Sequence, residues 1–168
     1  MDASCRTTDA VEGTSVLTAL MRGYRLGFIA GSDTHDGRPG NPREYWSRAP
    51  SAGLAAVFAP SLTREAIYDA LWQRSTYATT GARIILLTDI GGLSMGEMAC
   101  VGTQDERIYE REIRIHVLGT DQIASIDIIR NGQVVHSFES DGTSVEASWL
   151  DRIPLPMIVL ADDEGRRF

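Results

Sequence analysis

The sequence predicts two parts of different fold class: an α/β part over residues 1–81 and an all-β part over residues 82–168. In the first part, segments with helical periodicity alternate with short apolar runs, which is the pattern of α/β proteins. In the second part, most apolar segments have the two-residue period of a strand, and Asn131-Gly132 separates two of them as a hairpin turn would. For the second part we therefore expect a small antiparallel, sandwich-like domain.

The predicted elements of the first part follow the order helix, strand, loop, strand, helix. In sequence they are a helix at about 15–22, a strand at 26–30, a strand at 54–58 and a helix at about 62–74. Gly23 can end the first helix in the left-handed conformation. The run Leu26–Ala30 is apolar without alternation, as in a parallel strand buried on both faces. The part is too short for a complete barrel, which needs about 250 residues.

The second part is predicted from alternation. In Glu112–Val117, the side chains of Ile113, Ile115 and Val117 lie on one face, and we expect that face to be buried. Trp149 is expected in the same core. The other predicted strands lie at 83–88, 126–130, 133–137 and 157–160.

Composition excludes some classes of partner. The 168 residues are 43% hydrophobic, which allows a folded core. The net charge of −7 argues against nucleic acid and anionic membranes, because both require a basic surface. No apolar run approaches the ~20 residues of a transmembrane helix, and the N-terminal residues lack the apolar segment of a signal peptide. We expect a soluble protein.

Asp33 and His35 are the candidate metal ligands. A carboxylate and an imidazole two positions apart project to the same side of an extended segment, where both can reach one divalent ion. They follow a predicted buried strand, and α/β proteins place ligands at the carboxyl ends of strands. Gly31 and Gly37 bracket the pair and permit tight turns. From spacing alone, a loop aspartate that caps backbone amides beside an exposed histidine remains the alternative.

Arg38 is the candidate substrate-binding residue. It lies three residues after His35, and a guanidinium beside a metal ion can hold an anionic group such as phosphate. Alternatively it is a solvated loop charge or pairs with Asp36, and for Arg43 this second interpretation is preferred.

His116 and His136 are interpreted as structural residues. His116 lies on the polar face of an alternating strand. In a regular Asn-Gly hairpin, Arg130 is opposite Gln133 and Asp127 is therefore opposite His136, which predicts a cross-strand charge pair.

The segment from Leu26 to Gly40, with Gly-Ser-Asp-Thr-His-Asp-Gly at its centre, resembles the final metal motif of the PHP family, the polymerase and histidinol phosphatase metallohydrolases. The stretches 53–57, 62–71 and 77–84 are similar to a branch of that family in which a β-rich domain follows the barrel. The resemblance covers roughly Leu17 to Trp149. It implies that residues 1–81 are the C-terminal fragment of a distorted (β/α)7 barrel and that Asp33 and His35 match its last ligand pair.

The resemblance also implies the activity of the whole enzyme, which is metal-dependent hydrolysis of a small-molecule phosphoester or related ester. Zinc, manganese and iron all stay open as the metal, as does the number of ions, and no catalytic residue is assigned. The family's first ligands, a His-x-His and further residues, do not occur in this sequence. Because a catalytic zinc typically keeps three protein ligands, we expect weak metal binding and little activity from the isolated chain.

A rival prediction belongs to another class of protein. In it, the second part is a binding or interaction module without catalysis, and the α/β segment is vestigial. An incomplete barrel would leave apolar strand edges uncovered in the first part, so the fragment hypothesis predicts self-association.

Overall fold

The computed structural model describes residues 15–32, 37, 53–102 and 104–155. Within these residues the chain forms two short α-helices and eight strands, and all strand pairs are antiparallel. The helices are α1 (Val16–Met21) and α2 (Arg64–Trp72). The strands are β1 (Leu54–Val57), β2 (Thr76–Thr79), β3 (Ile85–Ile90), β4 (Leu93–Ser94), β5 (Arg111–Leu118), β6 (Ser125–Arg130), β7 (Gln133–Glu139) and β8 (Ser144–Asp151).

The prediction that the second part is β-rich is confirmed. The described sheets are open, with no closed barrel among them: a β1–β2 pair, a four-stranded sheet in the order β4-β3-β5-β8, and the β6–β7 hairpin. Neither described helix is long and apolar enough to cross a membrane, since the longer one, α2, has nine residues.

The core of the second part is built by alternation along β5, as predicted. Ile113, Ile115 and Val117 are 6 to 7% exposed, whereas the residues between them are exposed. Partly buried side chains of the four-stranded sheet and of the β6–β7 hairpin pack against them: Ile84, Leu86, Ile123, Ile126, Ile128, Phe138 and Trp149. The hairpin therefore covers one face of the sheet.

The Asn131-Gly132 turn is confirmed. Both residues have positive φ, 52° and 78°, as this turn requires, and Arg130 is opposite Gln133. Leu17 of α1 contacts the turn, because a Cβ on Gly132 would lie only 2.9 Å from its Cδ1 atom.

Charged side chains are buried where β5 begins and β8 ends. The Asp151 carboxylate is 1% exposed and accepts hydrogen bonds from Arg111, from Arg130 at 2.9 Å and from the Ile153 amide at 2.9 Å. Arg111 also donates to the Ile108 carbonyl oxygen, which belongs to a 3₁₀ turn at Glu106–Ile108. Burial raises the pKa of Asp151, but hydrogen bonds from Arg111 and Ile153 and the charges of both arginines lower it further, so that it lies below its ordinary value.

Both helices of the first part begin and end near the predicted residues. Ser15 accepts the Thr18 amide at 3.1 Å and caps α1, while Gly23, with φ of 81°, follows its end. Thr63 accepts the Ala66 amide at 3.2 Å and caps α2.

The predicted buried strand at 26–30 is wrong for this chain. The segment is extended, but it joins no ladder within the described residues, and Leu26, Phe28 and Ile29 are 42 to 62% exposed. A strand is defined by a partner backbone, and an apolar sequence does not supply one.

The two parts touch near the predicted boundary between residues 81 and 82. The Tyr77 hydroxyl donates to the Ile84 carbonyl oxygen at 2.7 Å, and Arg74 donates to the Gly96 carbonyl oxygen at 3.1 Å. A Cβ on Gly96 would lie 2.5 Å from backbone atoms of Arg74, so the chain segments are in close contact there. The division into domains itself stays a prediction.

Candidate metal-ligand loop

The candidate ligands Asp33 and His35, and the candidate substrate residue Arg38, lie outside the described residues, as does Arg43. The structure describes the two ends of the loop that carries them, up to Ser32 and again from Gly53. It also describes Gly37, whose φ of 70° is the left-handed conformation expected for a tight turn.

The incoming end of the loop is held against the start of β2. The Thr76 hydroxyl, 4% exposed, donates to the Phe28 carbonyl oxygen at 2.9 Å. One residue earlier in the chain, a Cβ on Gly27 would lie 3.0 Å from the Arg74 side chain. Since Gly27 lies beside Arg74 and Phe28 beside Thr76, the incoming segment runs in the same direction as β2.

The outgoing end of the loop returns to the same place. A Cβ on Gly53 would lie 2.8 Å from the Ala30 Cβ atom and 2.8 Å from the Gly31 carbonyl oxygen. The residues on either side of the loop therefore touch, and Gly53 makes that approach possible because it has no side chain. We call this contact of Gly53 with Ala30 and Gly31 the loop root; Asp33 and His35 follow it by two and four residues.

The described residues contain no metal-binding group of their own. Among them, no three histidine, cysteine, aspartate or glutamate side chains lie together as a metal-binding group. His116 is exposed on β5, where its neighbours across the sheet are Leu87 and Glu146. A carboxylate and an imidazole suit zinc, manganese or iron, but two ligands do not complete a catalytic site.

The predicted charge pair between Asp127 and His136 is wrong. A bulge between Ile128 and Ile129 shifts the β6–β7 register by one residue, so His136 is opposite Ile128 and Asp127 accepts a hydrogen bond from Ser137 at 2.7 Å.

Aromatic rings surround His136 instead. Its ring stacks on Trp149, with centroids 4.9 Å apart and planes at 1°, and meets the ring of Phe138 edge-on at 4.5 Å. These contacts give His136 a packing role between the hairpin and the sheet.

A charged depression of about 410 Å³ lies on the outer face of the four-stranded sheet, away from the core. Its charged and titratable lining residues are Asp89, Glu112, Arg114, His116 and Glu146. Arg114 donates to Asp89 at 3.0 Å, and this hydrogen bond is the main cause that lowers the pKa of the Asp89 carboxyl group below its ordinary value. With three carboxylates to one arginine, the depression favours a cationic partner over an anionic one. The sequence analysis placed Glu112, Arg114 and His116 on the polar side of a predicted strand, but no predicted strand covered Asp89 or Glu146.

Comparison with known proteins gives relatives of greater length. Residues 42–106 match a family described as proteins of unknown function, DUF3604. The chain is 35% identical over 155 residues to an uncharacterized protein of Chlamydia pneumoniae. It is 37% identical over 154 residues to uncharacterized proteins of Chlamydia muridarum and Chlamydia trachomatis. These matches cover 90 to 92% of this chain but 24 to 25% of the relatives, so the chain spans about a quarter of their length. No solved structure matches.

Proposed function

We propose that this chain is the part of a PHP-like metal-dependent hydrolase that contributes the last pair of metal ligands, Asp33 and His35. Residues 1–81 then correspond to the C-terminal part of a distorted (β/α)7 barrel, and residues 82–168 to a sandwich-like accessory domain. The substrate class is a small phosphoester or related ester, and Arg38 would hold its anionic group.

The loop root is the observation that carries this proposal. An extended segment running with β2 ends at Gly31, and the chain returns against it at Gly53. The loop between them thus leaves from the carboxyl end of an extended segment beside another strand, where α/β enzymes hold their ligands. A fixed root restrains a carboxylate and an imidazole placed two and four residues beyond it.

The length of the relatives supports the second element of the proposal, that the remaining ligands come from polypeptide outside this sequence. A metal ion in the complete site would supply Lewis acidity, and the residues of this chain would hold the ion and orient the substrate anion. Two ligands alone bind a metal weakly, which gives the isolated chain little turnover.

A metal titration with matched variants tests the proposal. We would titrate zinc and manganese into the wild type, Asp33→Ala, His35→Ala and His116→Ala, and follow binding by calorimetry. We expect weak binding that is lost in the first two variants and retained in His116→Ala, because His116 lies on the sheet of the second part. Binding unchanged in Asp33→Ala and His35→Ala, or abolished in His116→Ala, would contradict the assignment.

Turnover of phosphoester and carboxyl-ester substrates tests the incompleteness of the site. The isolated chain should stay near background with either metal. Metal-dependent hydrolysis well above background would show that the chain carries a complete site of its own.

A second candidate function is the non-catalytic binding module built on the second part. Two observations favour it: four of the five apolar side chains buried in the described residues, Ile108 and three on β5, belong to the second part, and the charged depression lies there as well. The encoding DNA separates the candidates. An upstream reading frame with a His-x-His strand supports the enzyme, whereas a translation start at Met1 supports the module.

A further inference from the structure

Helix α2 is apolar on two opposite sides. Its inner side, with Ala66, Ile67 and Ala70, packs on the protein. Its outer side presents Tyr68 and Trp72, which are 62% and 75% exposed and whose rings stack with centroids 6.3 Å apart. Tyrosine and tryptophan are among the side chains most enriched in interface hot spots, so a stacked and exposed pair on this side is a candidate contact surface.

The outer side of α2 is not alone in the first part in exposing apolar side chains. Among the described residues of the first part, Ala70 is the one apolar side chain that is buried, while thirteen large apolar side chains are exposed. The thirteen are Val16, Leu17, Leu20, Met21, Tyr24, Leu26, Phe28, Ile29, Leu54, Leu62, Tyr68, Leu71 and Trp72. Elements that expose so many large apolar side chains and bury one small one gain free energy when a further surface covers them.

We infer that the Tyr68–Trp72 side of α2 is an interface with polypeptide that lies outside this sequence, in a longer protein of the kind the chlamydial relatives represent. Those relatives contain the matched region within chains about four times its length, which supplies the covering polypeptide. A second copy of this chain is a poorer occupant because each copy carries a net charge of −7. The inference shares with the proposed function the premise of a longer protein, but it needs no metal.

Cysteine labelling in two contexts tests this interface. The first context is the isolated full chain with Cys5→Ser and Cys100→Ser. The second is the Chlamydia trachomatis relative in which the matched quarter is replaced by the same full chain. Tyr68→Cys and Trp72→Cys are compared with Tyr109→Cys, a matched control in the second part that is 61% exposed.

In the isolated chain all three cysteines should react rapidly with a maleimide. In the chimera, labelling at positions 68 and 72 should slow on the order of tenfold or more, while the control keeps its rate. Equal rates in the two contexts would overturn the inference. So would slow labelling in the isolated chain together with sedimentation as a dimer, which would assign the surface to a second copy.

Charge insertion gives a readout that does not depend on labelling. Trp72→Glu should leave the thermal midpoint of the isolated chain nearly unchanged, whereas it should lower that of the chimera or leave it insoluble. The core substitution Ile115→Glu is the comparison. If Trp72→Glu lowers the thermal midpoint of the isolated chain as much as Ile115→Glu does, Trp72 packs within this chain and the inference is refuted. A chimera that shows protection at Tyr68 but no metal binding through Asp33 would refute the proposed function and leave the interface standing.

Discussion

Asp151→Ala should be among the most destabilising single substitutions in the second part. The carboxylate joins three segments of chain, because it ends β8, faces Arg111 at the start of β5 and receives Arg130 from the β6–β7 hairpin. Arg111 is 8% exposed and the Arg130 side chain 25%. Removing the acid leaves two guanidinium groups facing each other with little water to solvate them.

The size of the effect follows from that burial. Breaking a buried ion pair by removing one partner lowers the free energy of unfolding by about 3–5 kcal/mol, because the remaining charge is uncompensated. With a urea dependence of about 2 kcal/mol per molar, the unfolding midpoint should fall by roughly 2 M. Asp151→Asn keeps an oxygen for the Ile153 amide and should lie between the wild type and the alanine variant.

Urea unfolding followed by tryptophan fluorescence measures these changes, and Asp89→Ala is the matched control. Asp89 also pairs with an arginine, but the Arg114 side chain is 60% exposed and water replaces the lost partner. The control should therefore lose much less stability than Asp151→Ala. Equal losses in the two variants would refute the reasoning that burial gives the Asp151 cluster its strength.

The Asp151 carboxylate should also make the free energy of unfolding depend on pH. Its folded pKa lies below the ordinary value of 3.8, so its contribution is fully present above about pH 5 and is lost as the pH falls through the folded pKa. On acidification from pH 5, the wild type should lose stability more steeply than Asp151→Asn. Parallel pH profiles would contradict this, whatever other carboxylates contribute to both.

Two further predictions concern the loop root and the hairpin. Gly53→Ala should lower the free energy of unfolding by about 1–3 kcal/mol, and the thermal midpoint with it, because the added Cβ would overlap Ala30. Gly31→Ala is the control and should be tolerated, because nothing lies within 4 Å of its added Cβ. Similar thermal midpoints for both variants would count against a fixed loop root. Double-mutant cycles should give His136 and Trp149 a coupling energy of about 0.5–1.5 kcal/mol from their stacked rings, and His136 and Asp127 a value near zero; the reverse order would restore the charge pair predicted from regular register.

The second part was largely predictable because alternation is a property of strand geometry itself. Side chains on β5 must point to opposite faces in turn, so the order Ile113, Ile115, Val117 fixes the buried face without knowledge of any partner strand. Asn131-Gly132 is similarly local, since a two-residue turn with positive φ at both positions favours these residue types. Both features survive in the structure for that reason.

Features that depend on distant partners were not predictable. The bulge between Ile128 and Ile129 moves His136 by one position, and nothing in the local sequence marks it. Arg111 and Asp151 occupy buried positions of the alternating pattern on β5 and β8, but charged side chains there suggest the ends of strands rather than a core. Only the register of β5 with β8 brings Arg111 opposite Asp151 and shows that each neutralises the other.

The segment 26–31 combines a local feature, which the sequence predicts, with a feature that depends on distant partners, and it leads into the candidate site. Its composition is that of an interior strand, and its direction beside β2 agrees with that interpretation, yet its side chains are uncovered. The loop root needs only Gly53, Ala30 and Gly31 and is formed within this chain. Under the proposed function, burial of the segment and completion of the ligand set would both need more polypeptide. If the chimera buries Tyr68 and Trp72, metal affinity through Asp33 and His35 should rise in the same protein; burial without that rise would separate the fold of this region from the hydrolytic role proposed for it.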